Sequence, residues 1–319
     1  MQEFQLIKKY FSKLAKKNKS SLNLNDDIFF DRKKKLAISV DTYINGVHFL
    51  NFDKPELVIK KIIRSSISDL ICKGVEPKYY FISGSGDKKS FSTLNLDKIS
   101  KSLKKEQNKY NIILCGGDTV KSNKLSFTIT SIGFSSKIIK RNNAKLHDDI
   151  YVTGNLGDSF TGLKILKKKI ITNKVLKQYF EKQYYCPNLH LDLAKKLFTF
   201  ANTSIDISDG LVADLEKLIN KQKLSYKLNL DSVPISKNLR KILIQKNLKK
   251  KFFISNGDDY QILFTASPSK SRIIQKLVKS TGVKISKIGK ICSFNQKSLI
   301  HDQKGKKIAI KDKGHNHKF

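Results

Sequence analysis

Cysteine, proline and long apolar runs are all scarce in this sequence of 319 residues. Its four cysteines are scattered without a C-x-x-C pair, which argues against a zinc module or a disulfide scaffold and favours a reducing, cytoplasmic location. No apolar run approaches the roughly 20 residues that span a bilayer, so we expect no membrane-spanning segment. Apolar residues still make up 39% of the chain, which suits one large or two ordinary domains and excludes a disordered protein.

Arginine is scarce as well, although the formal net charge is +36. Only five of the 63 basic residues are arginine, and the lysines are spread along most of the chain. A nucleic-acid-binding protein usually concentrates its charge, uses arginine at base edges and interleaves aromatic residues for stacking. We therefore interpret the lysines as solvated surface. Nucleic-acid binding is the alternative from a different functional class, and a steep salt dependence of DNA or RNA affinity would support it.

Glutamate is the third scarce residue, because 21 of the 27 acids are aspartate although glutamate is the better helix former. Many aspartates stand beside glycines or where apolar runs end: Asp26, Asp27, Asp41, Asp118, Asp158, Asp206, Asp209, Asp258 and Asp259. A turn or a helix cap accounts for any one of them. Taken together, they are also what Mg²⁺ prefers, since it binds carboxylate oxygens and substrate phosphates.

A basic amphipathic segment opens the chain. Residues 1–20 carry Phe4, Ile7, Phe11 and Leu14 at helical spacing, with lysines between them. The segment has no apolar h-region and no small-residue cleavage site, which favours a packed opening helix over a presequence or a membrane-surface helix.

Strand and helix patterns alternate through the first half of the chain. The patterns predict a buried helix over 55–73 and strands at 36–40, 79–83, 111–115 and 125–130. Asp69 falls inside the helix, where a carboxylate must be either paired or bound to a metal. The third strand leads into Gly116-Gly117-Asp118-Thr119, which is either an ordinary tight turn or a turn that brings the backbone close to a ligand.

The second half repeats this order after a polar, basic stretch at 137–147, where we place the boundary between a domain at 1–140 and a domain at 141–319. A strand at 150–152 precedes a glycine-rich turn and a helix at about 159–169. Asp206 and Asp209 flank a strand-to-helix turn, where Asp209 is either a helix cap or a ligand. Helices mixed with half-buried strands predict an α+β or mixed α/β protein.

Taken in order, these motifs resemble the thiamine-monophosphate kinases, a family of the aminoimidazole-ribonucleotide-synthetase-like superfamily. The resemblance runs nearly end to end and rests on Asn25-Asp26-Asp27, Arg141, Asp148 and the segments 36–42, 46–49, 68–70, 116–119, 151–154, 206–211 and 257–260. One such motif arises by chance, whereas the whole set at compatible spacing does not.

The resemblance implies a two-domain fold of α/β plus α+β type. The N-terminal domain would bind ATP and Mg²⁺, and its sheet would form the interface of a homodimer. The implied activity transfers the γ-phosphate of ATP to thiamine monophosphate, giving thiamine diphosphate. No covalent nucleophile is expected, because positioning and charge neutralisation carry phosphoryl transfer. The expected partners are ATP, thiamine monophosphate and a second copy of the chain, without a membrane or a nucleic acid.

Three sets of site residues follow from the resemblance, position by position. The Mg²⁺ ligands would be Asp27, Ser39, Val40, Asp41, Asp69, Asp118, Asp206 and Asp209. The ATP contacts would be Gly117, Asp118, Arg141 and Ser208. The substrate contacts would be His48, Asp258 and His315.

The sequence departs from the family pattern at three of these positions. Val40 stands where a hydroxyl residue is common, so it could supply only its backbone carbonyl. Asp258 is one methylene shorter than the usual glutamate, and His315 stands where an aromatic ring is expected. Because His317 is close in sequence, the two histidines also allow a metal-binding interpretation.

Other enzymes of the superfamily remain an alternative, above all the aminoimidazole ribonucleotide synthetase type. The selenophosphate and hydrogenase-maturation relatives use a reactive Cys near the N-terminus or a C-terminal Cys tail. In this sequence the first cysteine is Cys72 and the last residue is Phe319, so neither feature is present.

Overall fold

Two β-sheets organise the chain, one in each half, in a computed structural model that describes residues 3–315. The strands are β1 (Phe29–Asp31), β2 (Leu36–Ile44), β3 (Pro77–Gly86), β4 (Ile113–Lys121), β5 (Ser126–Phe134), β6 (Asp149–Thr153), β7 (Ala201–Asp206), β8 (Leu224–Asn229), β9 (Ile262–Ala266), β10 (Ile285–Ser293) and β11 (Leu299–His301). The α-helices are α1 (Glu3–Leu6), α2 (Ser12–Ala15), α3 (Pro55–Cys72), α4 (Thr93–Tyr110), α5 (Asp158–Leu166), α6 (Lys174–Tyr185), α7 (Leu211–Leu218), α8 (Lys237–Gln245), α9 (Lys250–Ile254) and α10 (Ser271–Thr281).

The first sheet has five strands in the order β1-β2-β5-β3-β4. Its neighbours are antiparallel except β3 and β4, which run parallel and are connected through α4. Strand β5 alternates buried and partly exposed residues, as the 125–130 pattern predicts. Strand β2 continues beyond the predicted end at residue 40, so that Asp41 lies inside the strand.

The second sheet has six strands in the order β11-β8-β10-β6-β9-β7. All its neighbours are antiparallel except β11 and β8. The two sheets together confirm the predicted mixed α/β class. The domain boundary at 140 falls between the last strand of the first sheet and the first strand of the second, and it stays a prediction.

Helix α3 lies between the two sheets and confirms the helix predicted over 55–73. Pro55 stands in its first turn, and Gly74 follows its end with φ +83°, a conformation that glycine adopts without strain. The helix is buried because its isoleucines are fully enclosed: Ile59, Ile62, Ile63 and Ile67. Each such side chain stabilises the fold by about 1.5–3 kcal/mol.

The predicted turn at Gly116-Gly117-Asp118-Thr119 is wrong, because the segment lies inside β4. The register between β3 and β4 shifts at Cys115, which leaves one extra residue in β4. A Cβ atom on Gly117 would lie 1.7 Å from the carbonyl oxygen of Ile82, so this position of the strand accepts only glycine. The glycines therefore serve a bulged strand and a close backbone approach.

The opening segment is helical, but the packing predicted for it is only partly correct. A π-helical turn at Ile7–Phe11 joins α1 to α2, and this wider turn rotates the later residues away from the face that Ile7 occupies. Phe11 and Leu14 are 47% and 81% exposed. No helix within residues 3–315 is long and apolar enough to cross a membrane.

Candidate active site

A cavity of about 780 Å³ opens between the two halves of the chain. Its wall contains most of the predicted site residues: Asp27, Val40, Asp41, His48, Asp69, Arg141, Asp206, Ser208, Asp209, Asp258 and His315. A second cavity, of about 460 Å³ beside α10, contains a single carboxylate, Asp149, which forms an ion pair with Lys287. The first cavity is therefore the candidate active site, because the polar groups converge there.

Three carboxylates from separate elements form the inner wall of this cavity. Alternation along β2 turns Asp41 to the same face as Ser39, toward α3, where Asp69 lies. Asp206 is the last residue of β7, where the chain leaves the second sheet. Ser39 Oγ donates a hydrogen bond to Asp69 Oδ2 at 2.5 Å, and Ser68 Oγ donates to Asp206 Oδ2 at 2.7 Å.

These carboxylates resist ionisation. Burial raises the pKa of Asp41 and of Asp206 to about 6. Burial and the charges of Asp41 and Asp206 raise the pKa of Asp69 well above its ordinary value. Three acids that oppose one another's ionisation are the arrangement that a bound cation would stabilise.

The donor chemistry of this wall fits Mg²⁺. No three His, Cys, Asp or Glu side chains of the described part of the chain stand close enough to hold a metal ion by themselves. Mg²⁺ does not require such a cage, because it usually binds through one or two carboxylates and completes its shell with water and substrate phosphates. The predicted ligands offer only oxygen atoms. Within residues 3–315, the ion pairs of the nearby basic side chains go to other carboxylates and not to Asp41, Asp69 or Asp206.

Basic side chains neutralise the outer carboxylates. The guanidinium group of Arg141 forms a bidentate ion pair with Asp27, and its backbone N–H donates to Asp26 Oδ2 at 3.0 Å. The ammonium group of Lys73 lies 2.7 Å from Asp26 Oδ1 and 3.3 Å from Asp27 Oδ2. Burial lowers the pKa of Arg141, a cost that only nearby negative charge offsets.

The sequence interpretation missed Lys73 and Lys217. Lys217 forms ion pairs with Asp209 and, at 3.1 Å, with Asp214. A signal for Lys217 exists, because it stands three residues after Asp214 on α7, where the two side chains share a face. No local feature of the sequence predicts the burial of Lys73. It directly follows the end of a helix, a position where lysines are commonly solvated.

His48, Asp258 and His315, the predicted substrate contacts, are all among the residues that line the cavity. The backbone N–H of Ile44 donates to His48 Nδ1 at 3.0 Å, so the neutral ring carries its hydrogen on Nε2. The backbone N–H of His315 donates to the carbonyl oxygen of Asp209 at 3.0 Å, and the residue is exposed. His317 lies outside the described residues.

Ser39, Gly117 and Asp118 are the predicted site residues that the cavity wall does not include. Ser39 is buried behind the cavity wall, where its hydroxyl group donates a hydrogen bond to Asp69. Gly117 and Asp118 lie on β4, three strands away from β2, and β4 is exposed along its whole length. Because neighbouring strands are about 4.8 Å apart, roughly 14 Å separates Asp118 from β2.

Comparisons with known proteins show which family the chain resembles. The family model for the N-terminal domain of AIR synthase related protein matches residues 25–135. The thiamine-monophosphate kinase of Buchnera aphidicola subsp. Acyrthosiphon pisum is 36% identical over 322 residues, covering 99% of this chain and 98% of the relative. The thiamine-monophosphate kinase of Haemophilus influenzae is 32% identical, covering 91% and 89%.

Solved structures extend the likeness to the whole fold. The structure of AaThiL complexed with AMPPCP and TMP matches with a TM-score of 0.85 at 26% identity, over 99% of this chain and 97% of that one. The similarity to the Buchnera relative exceeds 30% identity along nearly the entire length of both proteins. On the combined evidence of motifs, fold and relatives, this chain belongs to the thiamine-monophosphate kinase family.

Proposed function

We propose that this protein transfers the γ-phosphoryl group of ATP to the phosphate of thiamine monophosphate, producing thiamine diphosphate and ADP. The observation that carries the proposal is the cavity in which carboxylates from both halves of the chain face Arg141. The similar protein AaThiL has been solved with AMPPCP, an analogue of ATP, and with TMP. The cavity volume, about 780 Å³, suits ligands of this size.

The main barrier in this reaction is electrostatic, because both reactants are polyanions. Two unit charges 4 Å apart repel by about 4 kcal/mol at an effective dielectric constant of 20. Arg141 already holds the Asp27 carboxylate in bidentate geometry, and the same fork suits a phosphate group. The attacking phosphate oxygen is largely ionised near neutral pH, so the site needs no strong general base.

We also propose that Mg²⁺ binds in this cavity. Its ligands would come from Asp27, Ser39, the carbonyl of Val40, Asp41, Asp69, Asp118, Asp206 and Asp209. Mg²⁺ supplies neutralisation of the phosphate charge when it is bound. The protein contributes the orientation: Ser39 and Ser68 hold Asp69 and Asp206 through hydrogen bonds, so that these carboxylates do not reorganise during the reaction.

A homodimer would explain why Gly117 and Asp118 lie apart from the cavity. Within residues 3–315, β1 pairs only with the 36–38 part of β2, and β4 is the opposite edge of the same sheet. The face turned away from α3 exposes several apolar side chains: Val40, Tyr79, Phe81, Ile113, Val120 and Phe134. We propose that two sheets close into a barrel, in which β4 of one copy pairs with β2 of the other. Asp118 would then serve the partner's site.

Mixed dimers test this arrangement. Asp118→Asn and Asp206→Asn should each abolish activity, since each removes one carboxylate from both sites of a dimer. When the two variants exchange subunits, a hybrid contains one site with both changes and one intact site, so about a quarter of wild-type activity should return. A mixture that stays inactive after verified exchange would place Asp118 in its own chain's site or outside catalysis.

The kinase assay tests the proposed activity itself. Purified protein with Mg²⁺, ATP and thiamine monophosphate should form thiamine diphosphate and ADP in equal amounts, measured by chromatography. Free thiamine is the control acceptor and should not react, because it lacks the attacking phosphate oxygen. Folded dimer that yields no thiamine diphosphate would overturn the proposal.

A cytoplasmic location is part of the same proposal. It is supported by the four cysteines, which are all free thiols in the structure, as expected in a reducing compartment.

A further inference from the structure

A buried lysine of α3 contacts Asp258, one of the predicted substrate contacts, from behind the cavity wall. The side chain of Lys61 is only 2% exposed, and its Nζ lies 2.9 Å from Oδ1 of Asp258. Asp258 lines the cavity with its side chain 29% exposed, whereas Lys61 is not part of the cavity wall. The lysine therefore acts on a ligand only through the aspartate.

Among the contacts of the Lys61 ammonium group, Asp258 is the carboxylate that balances its charge. Its Nζ donates a hydrogen bond to the carbonyl oxygen of Tyr184 at 3.4 Å and lies 4.0 Å from the centre of the Tyr184 ring. The Tyr260 ring centre is 5.9 Å away. Carbonyl and aromatic faces solvate an ammonium group, but they leave its unit charge uncompensated. Asp258 provides the compensating charge.

The backbone around Asp258 is fixed as firmly as its side chain. Asp258 has φ +67°, and its N–H donates to the carbonyl oxygen of Ser208 at 2.8 Å. A Cβ atom on Gly257 would lie 1.7 Å from that same oxygen, so only glycine allows this approach. Tyr260 Oη donates to Asp258 Oδ1 at 3.1 Å. The lysine and the tyrosine thus converge on Oδ1, which leaves Oδ2 as the oxygen that can accept a hydrogen bond from a ligand.

The charge of this pair matters because the ligand carries a phosphate. A lone carboxylate on the wall would repel a phosphate-bearing molecule, whereas the Lys61–Asp258 pair has no net charge. The carboxylate then keeps its capacity to accept hydrogen bonds without adding repulsion. An N–H donor of the acceptor molecule fits this oxygen, and the exocyclic amino group of the aminopyrimidine in thiamine monophosphate is such a donor.

We propose that Lys61 is a positioning residue for the acceptor substrate: it fixes Asp258 so that Oδ2 accepts a hydrogen bond from the aminopyrimidine group, and it cancels the charge of that carboxylate. The inference rests on the proposed function. Lys61 and Asp69 also stand eight residues apart on α3, about 12 Å along its axis at 1.5 Å per residue. The same helix would therefore set the distance between the bound aminopyrimidine ring and the carboxylates of the inner wall.

Steady-state kinetics of three variants test the inference. Lys61→Met removes the charge at similar length, Asp258→Asn removes the carboxylate, and the third variant combines both. Lys61→Met should raise the KM for thiamine monophosphate at least tenfold and leave the KM for ATP within twofold. The double variant should match Asp258→Asn within twofold, because Lys61 acts through Asp258. Lys60→Met, the next residue of the same helix, is the matched control and should change neither KM.

Several outcomes would overturn the inference. One is an equal rise in both KM values for Lys61→Met, which is what a general loss of structure gives. Another is a further tenfold rise in the double variant over Asp258→Asn, since it would show a role independent of Asp258. If either single variant does not fold, the double variant is compared with the wild type, because it contains no unpaired buried charge. It should raise the KM for thiamine monophosphate at least tenfold and leave the KM for ATP within twofold, and an unchanged KM for thiamine monophosphate would overturn the inference. Wild-type protein that forms no thiamine diphosphate refutes the proposed function, whereas active wild type with an unaffected Lys61→Met refutes only the role of Lys61.

Discussion

Replacement of Asp206 by asparagine should make the protein more stable while it destroys activity. Asp206 is 2% exposed, and burial raises its pKa from 3.8 to about 6 in spite of the hydrogen bond from Ser68. Between these two pH values the folded state binds more protons than the unfolded state, so the stability of the metal-free protein falls as the pH rises from about 4 to 6. Above pH 6 the ionised carboxylate destabilises the fold by up to about 3 kcal/mol, at roughly 1.4 kcal/mol per pH unit.

Asparagine is neutral at every pH and has nearly the same shape, and its carbonyl oxygen can accept the Ser68 hydrogen bond at 2.7 Å. Asp206→Asn should therefore exceed the wild type in stability by up to about 3 kcal/mol at pH 8, and match it near pH 4. The melting temperature at pH 8 should rise by about 4–6 °C. The kcat/KM should fall at least about a hundredfold, because the proposed Mg²⁺ ligand is lost.

Thermal and urea unfolding at both pH values, in EDTA, measure this difference. Asp148→Asn is the matched control. Asp148 is equally buried, but it accepts hydrogen bonds from the backbone N–H of Lys145, the Asn202 amide and the Thr265 hydroxyl. Its replacement should destabilise the protein at both pH values, since satisfied acceptors are lost. An Asp206→Asn protein that is destabilised at pH 8 as much as Asp148→Asn would refute the reasoning.

Two further substitutions test the framework of the site. Gly117→Ala would place a Cβ atom 1.7 Å from the Ile82 carbonyl oxygen, so we expect a loss of about 1–3 kcal/mol in unfolding free energy, whereas Gly84→Ala, with 3.2 Å to the nearest atom, should be much milder. Equal effects would contradict the close approach. Glu106→Gln leaves the buried Arg64 guanidinium without its bidentate partner at 2.8 and 3.0 Å, and urea unfolding should show a loss of about 3–5 kcal/mol. A loss below about 1 kcal/mol would show that the pair is not needed.

Elements with a clear local pattern were predicted correctly, and a segment that depends on contacts between distant parts of the chain was not. Helix α3 was predictable because its isoleucine spacing, Pro55 and Gly74 are all local. The segment 116–119 was not, because it belongs to β4 only through parallel pairing with β3 on the other side of α4. From local preference alone, two adjacent glycines predict a turn. The bulge and the close contact with Ile82 depend on pairing with β3, which local preference does not include.

The site shows the same limit. The order of Asp41, Asp69 and Asp206 along the chain indicated a shared site, and all three line one cavity. The sequence could not show which lysines oppose them. Fifty-eight similar lysines carry no local mark of burial, yet Lys73 and Lys61 are almost completely enclosed.

The sequence by itself therefore predicted the fold class, the family and most of the carboxylates that line the cavity, because these predictions depend on residue types at fixed spacings. Only the tertiary structure decided which cations face those carboxylates, and that Asp118 stands apart from the cavity of its own chain. The physical reason is distance along the chain: Lys73 meets Ser204 across 131 positions, and no periodicity in a sequence encodes such a contact. Whether a lysine is solvated or serves as a buried counterion depends on the packing of distant segments around it.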